Sequence, residues 1–407
     1  MHIVIVNDFS YVNGGAAQVA LSSAAALEAA GEKVIIFSAV DHPTSKQINN
    51  SGLQLICTGQ HEIAKDKNRI RAVVQGVWNI KAQKAMDDLL ATLDPKDTII
   101  HVHSWTKALS SSVVRAAIGK DFKVVCTLHD YFLACPNGGF FDYKRQEICT
   151  EKPLSFGCVV RNCDVRSYPQ KVWRVMRQIV QKEIGLIPNG IKNFIAISDF
   201  SMGVIKYFLP VDSHVHRINN PIIVERAECI NAGLNADFTF VGRLSPEKGV
   251  ELFAHASKFL NLKTKFIGDG DSKIKIQEIL PAAQITGWIS GEQVIEHLNS
   301  ARVLVFPSLL YEGSPLTILE AASLGIPAIV ADNCAARDMV VDGETGLLFR
   351  GGDESDLIAK LDQLRNSELV SNLGKAAYEA YWSSPRTQEN HVKDLIKCYK
   401  KILSSTL

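Results

Sequence analysis

The sequence predicts an α/β protein of two Rossmann-like, doubly wound domains facing a cleft, and three observations carry that expectation. Strand-length apolar runs alternate with helix-length patterns along both halves of the chain. At 407 residues the chain is long for one core and comfortable for two domains of about 200 residues each. The stretch Phe306 to Val330 is a complete unit of strand end, loop, helix and next strand. In such sheets the loops at the carboxyl ends of the strands hold ligands.

In order, His2 to Val6 reads as a buried strand and Asn7 to Asn13 as its loop. Gly14-Gly15 opens a small-residue helix, Ala16 to Ala30, which Gly31 closes before the strand Val34 to Ala39. The glycines do not form G-x-G-x-x-G, so no dinucleotide site is indicated, and the pair also reads as a simple helix cap. Two basic amphipathic segments follow, residues 65–84 and Ser167 to Ile187. The second sets Lys171, Arg174, Arg177 and Lys182 beside Trp173, Val175, Met176, Ile179 and Val180. Each is either a domain helix with a solvated basic face or a helix lying on a membrane surface. Asp97 to Val102 and Phe122 to Leu128 are strands, the latter ending in His129-Asp130-Tyr131. A histidine at a strand's carboxyl end is placed for work in a cleft, although single histidines are also commonly structural. Beyond it, Cys135, Cys149, Cys158 and Cys163 fall within 29 residues without a C-x-x-C. Four thiols there could hold one structural zinc ion, the alternative being free or redox-active thiols.

Phe194 to Ser198 is a strand leading to a helix from Asp199, and His214 to Asn220 ends in Asn219-Asn220-Pro221. A second unit opens with strand Asp237 to Val241. Helix Lys248 to Leu260, strands Leu262 to Ile267 and Gln284 to Thr286, and helix Gly291 to Ser300 follow. In the central unit Val303 to Phe306 is the strand, Ser314 reads as a helix N-cap and Pro315 as the first helical residue. Gly325-Ile326-Pro327 stops that helix, Ala328 to Ala331 and Leu347 to Phe349 are strands, and three helical segments finish the chain. The helix N-terminus presents free N–H groups and partial positive charge, which suit a phosphate. Glu312 and Glu320 flank it, either as sugar- and ribose-binding carboxylates or as two unrelated surface groups.

The chain carries 44 basic and 43 acidic residues, so no global field favours nucleic acid. Residues 1–215 hold 24 basic against 19 acidic, a net of +5, and residues 216–407 hold 20 against 24, a net of −4. The basic first half makes an anionic membrane surface a candidate partner. No window approaches ~18 consecutive apolar residues, so no transmembrane helix is expected. The N-terminus lacks a basic n-region and a cleavage site, and the cysteine count of nine is odd. The expectation is a cytoplasmic protein with reduced thiols, at most peripheral on the inner face of the plasma membrane.

Glu312-Gly-Ser-Pro-Leu-Thr-Ile-Leu-Glu320 resembles the E-x7-E signature of family 4 of the retaining glycosyltransferases, which have the GT-B fold. Phe240-Val-Gly-Arg-Leu-Ser-Pro-Glu-Lys-Gly249 resembles the same family's diphosphate-binding segment. Thr127-Leu-His-Asp-Tyr-Phe132 is similar to the motif whose histidine contacts the donor sugar. A weaker resemblance covers almost the whole chain. It implies a retaining enzyme that moves a hexose from a nucleotide-diphosphate sugar, with uridine or guanosine as base, to a glycan or polyprenyl-linked saccharide. Surface polysaccharide biosynthesis in bacteria (O-antigen of lipopolysaccharide, capsule or exopolysaccharide) is the implied setting, and catalysis needs no metal or other cofactor. The resemblance assigns the leaving diphosphate to Arg243, Lys248 and the N–H groups of Leu316 and Thr317. Sugar hydroxyls go to Glu312 and the Gly313-Ser314-Pro315 loop, the ribose to Glu320, the base to the Ile289 backbone, and the sugar face to His129 with Asp130 as helper. Gly14 and Gly15 would lie in the cleft near the donor phosphates. Residues 1–216 would bind acceptor, with the C-terminal segment 386–407 packed back on them, and residues 217–385 would bind donor. Two rivals stand beside this reading: another GT-B enzyme such as a sugar-nucleotide epimerase, and a catalytically idle GT-B partner subunit.

Overall fold

A computed structural model describes residues 1–41 and 53–405; the last two residues of the segment 386–407 lie outside the described residues. The strands in chain order are β1 (His2–Val6), β2 (Lys33–Ser38), β3 (Gln54–Cys57), β4 (Thr98–Val102), β5 (Lys123–Thr127), β6 (Phe141–Asp142), β7 (Glu147–Ile148) and β8 (Asn193–Ala196). They continue with β9 (His214–Arg217), β10 (Asp237–Val241), β11 (Thr264–Ile267), β12 (Gln284–Ile285), β13 (Ala301–Phe306), β14 (Ala328–Ala331) and β15 (Gly346–Phe349). Seven form one parallel sheet in the order β3-β2-β1-β4-β5-β8-β9, and six form a second in the order β12-β11-β10-β13-β14-β15. The order reverses beside β1 in the first sheet and beside β10 in the second, so each sheet opens a crevice at the carboxyl ends there.

Apolar β1 and β13 are buried along nearly their whole length, as strands covered on both faces require. One core lies on each side of the first sheet. Val4, Val6, Ile100 and Val102 pack with Trp105 and Leu109 on one side. On the other, Ile3, Ile5, Ala20 and Leu27 pack with Leu395, Tyr399 and Ile402. The last helix, Gln388–Ser404, therefore closes the back of the first sheet beside helix Gly15–Ala29. Two histidine contacts pin it: His101 meets the Tyr399 hydroxyl at 2.6 Å, and His391 meets Ser23 Oγ at 2.9 Å and the Asn219 carbonyl at 2.8 Å.

Several expectations change. The divide at 216/217 falls inside β9, whose Arg217 pairs with Ala196. Residues 65–84 do not form one helix. Asn68 and Asn79 each cap a new one, accepting from the Arg71 and Ala82 N–H groups, and give Arg69–Val77 and Ile80–Leu90. Strand β3 has no counterpart in the sequence reading.

Helix Tyr168–Glu183 forms, but its basic residues do not make a solvated face. Lys171 is 1% exposed and Arg177 7%. Arg177 donates to the Thr106 carbonyl at 3.0 Å and lies between the Phe132 and Trp173 rings, and burial pushes its guanidinium down to about 9. Arg174 binds Asp164 at 2.8 Å. Of the four, Lys182 alone is exposed.

The thiols of the cysteine loop lie around a lysine. Among the described residues no three His, Cys, Asp or Glu side chains gather to hold a metal ion, and Cys135, Cys149, Cys158 and Cys163 are free thiols. A cation of the chain's own stands among them. Lys171 Nζ lies 3.4 Å from Cys158 Sγ. Burial alone would lower that amine, but the Cys163 and Cys158 thiols hold it above its ordinary value.

Candidate active site

The site starts at the carboxyl ends of β1, β4 and β5. His103, just past β4, donates its backbone N–H to the Val6 carbonyl at 2.9 Å, which ties this end to the loop after β1. His129, two residues past β5, meets His103 through Nε2 and Nδ1 at 2.9 Å, with the rings stacked 5.2 Å apart. Burial pushes the His129 imidazole down to about 3 and His103 well below the usual range, so both are neutral. His103 Nε2 is buried without a partner among the described residues. Asp130 accepts the Phe132 N–H at 3.0 Å, and burial raises its carboxyl to about 6. Asp8 braces the floor, accepting the N–H groups of Lys107, Ala108 and Leu109 at 2.8 to 3.0 Å.

The second sheet supplies the charged groups. After β10, Glu247 accepts from Ser245 Oγ at 2.8 Å and stands 3.5 Å from the guanidinium of Arg243, which reaches into solvent. Lys248 ends a tight turn at Gly249, whose φ is +69°. A side chain on Gly249 would meet the Pro307 carbonyl at 1.9 Å, so this glycine is what lets the two motif segments close on each other. Lys248 Nζ then lies 2.5 Å from Glu312 Oε1, which also accepts from Ser308 Oγ at 2.8 Å.

The helix beyond begins at Leu316, one residue later than expected, with extended Pro315 as its cap. Ser314 therefore does not cap it. Its Oγ and Thr317 Oγ1 are buried at the helix N-terminus without partners among the described residues. Glu320 sits half-buried inside this helix, and desolvation lifts its carboxyl to about 7. Buried hydroxyls without partners among the described residues and a desolvated carboxylate are groups that a polar ligand would satisfy.

The two halves touch here. A side chain on Gly313 would stand 3.0 Å from the His129 carbonyl, so the glycine admits the close approach. Tyr311 packs on Tyr131 and Phe200 with ring centres 6.2 and 5.4 Å apart, and the Phe200 N–H donates to Asp338 at 2.9 Å. The structure thus gathers His129, Lys248, Glu312, Gly313, Ser314, Pro315, Leu316 and Thr317. Arg243 lies beside them on a cleft of about 1300 Å³. That cleft's other wall includes Lys65, Lys107, Arg166 and Arg174.

Gly14 (φ +100°) and Gly15 open the first helix with empty space around them, and among the described residues no contact ties them to the cluster. Ile289 lies in the loop after β12, beside 82% exposed Trp288 and before Ser290, which caps the next helix. Sequence reasoning missed His103 and Ser308. The His101-x-His103 pattern at the end of β4 held a signal for the first, since alternate residues of an extended chain share a face.

Comparison with known proteins gives one family model, Glycosyltransferase Family 4, matched over residues 13–226, and a second, Glycosyl transferases group 1, over residues 235–367. The chain is 38% identical to a GDP-mannose-dependent alpha-mannosyltransferase of Mycolicibacterium smegmatis over 27% of its own length and 29% of the relative's, so the match spans under a third of that protein. It is 26% identical to an Escherichia coli UDP-Gal:alpha-D-GlcNAc-diphosphoundecaprenol alpha-1,3-galactosyltransferase over 73% of this chain and 74% of that one. Among solved structures, sucrose-phosphate synthase from Thermosynechococcus elongatus shares the fold, with a TM-score of 0.74 at 17% identity over 100% of both chains.

Proposed function

We propose that this chain, which belongs to glycosyltransferase family 4, takes sugar from a nucleotide sugar to a saccharide acceptor, and that it moves a hexose with retention and with protein groups alone offsetting the leaving diphosphate. The observation that carries this reading is the cluster at the Leu316 helix: half-buried Lys248, two unpartnered hydroxyls and free N–H groups, facing neutral His129 across the junction. As the glycosidic bond breaks, negative charge grows on the diphosphate. Preorganised cations and N–H donors stabilise it more in the transition state than in the ground state. Lys248 would exchange Glu312 for a phosphate oxygen, and Arg243 would swing from Glu247 to make a bidentate contact. Glu312, released, would accept sugar hydroxyls. Glu320 would accept from the ribose, and the Ile289 backbone would meet the base.

His129 is neutral and would steady the sugar by hydrogen bonding rather than by charge. The acceptor would come from the first domain's wall, whose Lys65, Lys107, Arg166 and Arg174 face the donor side. A lipid-linked saccharide in bacterial surface polysaccharide synthesis is the acceptor class in keeping with the named E. coli relative. The test is donor turnover in Arg243→Ala and Lys248→Ala, each checked for folding. A fall of roughly a hundredfold or more is expected, the scale for one preorganised stabiliser. Turnover at the wild-type rate in either would overturn the clamp.

A further inference from the structure

Three histidine rings stand in a row behind the crevice. His101, on β4, is held at both ring nitrogens: Nδ1 meets the Tyr399 hydroxyl at 2.6 Å and Nε2 meets Thr127 Oγ1 at 2.7 Å. His103 packs beside it with ring centres 4.0 Å apart, and His129 follows at 5.2 Å. The first two are buried, and His129 is half-buried.

The middle ring has one polar contact. His103 Nδ1 lies 2.9 Å from His129 Nε2, and its own Nε2 is buried without a partner among the described residues. His101 supplies none, because both of its nitrogens are taken. Burial keeps His103 and His129 neutral, so each ring has one N–H and one bare nitrogen. A hydrogen bond between them needs one of each. The two rings must therefore carry their protons on matching atoms, both on Nδ1 or both on Nε2. With both on Nε2, His129 donates and His103 keeps a buried N–H that has no acceptor. With both on Nδ1, His103 donates and only a bare nitrogen is left unpaired. An orphaned buried N–H is the rarer of the two in folded proteins.

We propose that His103 is a positioning residue that fixes His129 with its proton on Nδ1, so that His129 meets a ligand as a hydrogen-bond donor. His129 Nδ1 makes no hydrogen bond among the described residues, which leaves it for that ligand. The ring's other nitrogen is closed by the His103 N–H. One consequence rests on the glycosyltransferase reading: His129 donates to a sugar oxygen and has no free lone pair to take up the acceptor's proton. It orients the sugar, and the base is another group.

The experiment records nitrogen NMR spectra of the full chain with labelled histidines, the His129 signals being identified by their loss in His129→Asn. At neutral pH wild type should show a protonated Nδ1 and a bare Nε2 at His129. His103→Leu removes the fixing group, and the His129 signals should then move toward the Nε2–H form. His103→Asn, whose amide N–H stands near the lost Nδ1, should hold the wild-type pattern. Melting temperatures check that each variant is folded. A protonated Nε2 at His129 in wild type would overturn the proposal, as would an unchanged His129 pattern in folded His103→Leu. Kinetics address the consequence for the sugar. His129→Asn keeps an N–H near Nδ1 and should hold turnover within about tenfold of wild type, whereas His129→Ala should lose roughly a hundredfold. Equal losses in the two would overturn the hydrogen-bonding role. Absence of turnover with every nucleotide sugar would count against the transferase reading and leave the spectroscopic result standing.

Discussion

The two halves of the molecule use charge in opposite ways. In the second, Lys248 and Glu312 are half-buried at the mouth of a helix N-terminus, where a cation and a carboxylate can each find a new partner in a ligand. In the first, Lys171 and Arg177 are sunk behind their own helix, one among thiols and the other between aromatic rings, while aliphatics take the surface. A buried cation with fixed partners organises a fold, and one set at a crevice beside unpartnered hydroxyls organises chemistry. The lesson is that a basic amphipathic pattern fixes the existence of two faces but not which of them meets the core.

The largest effect expected from breaking this contrast belongs to the crevice. Lys248→Ala and Arg243→Ala should each reduce donor turnover by roughly a hundredfold or more. Lys171→Met, by contrast, should act on melting temperature and leave the donor's KM alone. A KM change in a folded Lys171 variant would erase the distinction.

Next comes the pair of carboxylates. Glu320→Gln should weaken a free nucleoside diphosphate and the sugar donor alike, each by about tenfold, the loss of one charged hydrogen bond. Glu312→Gln should weaken the sugar donor while nearly sparing the nucleotide. Calorimetry with both ligands separates them, and equal losses in the two variants would show that the roles are not divided.

A similar but more local effect is expected at His103. Replacing it with leucine should cost about tenfold in turnover by freeing the His129 ring, the scale of one buried hydrogen bond. His103→Asn, whose amide can stand near the Nδ1 position, should restore most of it. If asparagine and leucine behave alike, the contact is packing only.

A last effect is on stability rather than on binding or turnover. The Glu320 carboxyl is raised from 4.5 to about 7 in the folded chain, so its favourable contribution is complete below its unfolded value and is lost as pH rises through about 7. Unliganded Glu320→Gln should therefore match wild type near pH 4 and exceed it by about 2–3 kcal/mol by pH 8. Urea melts at the two pH values check the sign.

Much of the second half was legible because its chemistry is local. Arg243 to Lys248 is one turn of chain and Glu312 to Glu320 another, so both could be read as words before any fold was known. The two doubly wound α/β domains followed from strand–helix alternation in the same way. The first half's site is not local. His103 and His129 are 26 residues apart, and His129 meets Gly313 only across the junction. The place of buried Lys171 beside thiols that precede it in the chain could not be foreseen from spacing either. The one-residue shift at Leu316 had a similar cause: Pro315 stays extended, and the hydroxyl of Ser314 is left unpartnered rather than capping the helix.

The most direct test of the account is the affinity for uridine and guanosine diphosphates, measured by calorimetry on Glu320→Gln and on Val172→Glu/Met176→Glu. The account predicts that one of the two nucleotides binds wild type, that Glu320→Gln loses about tenfold, and that the helix variant binds it as wild type does. Loss of nucleotide affinity in the helix variant, or none in Glu320→Gln, would contradict the division of this molecule into a donor crevice in the second half and a first half whose helix cations are buried.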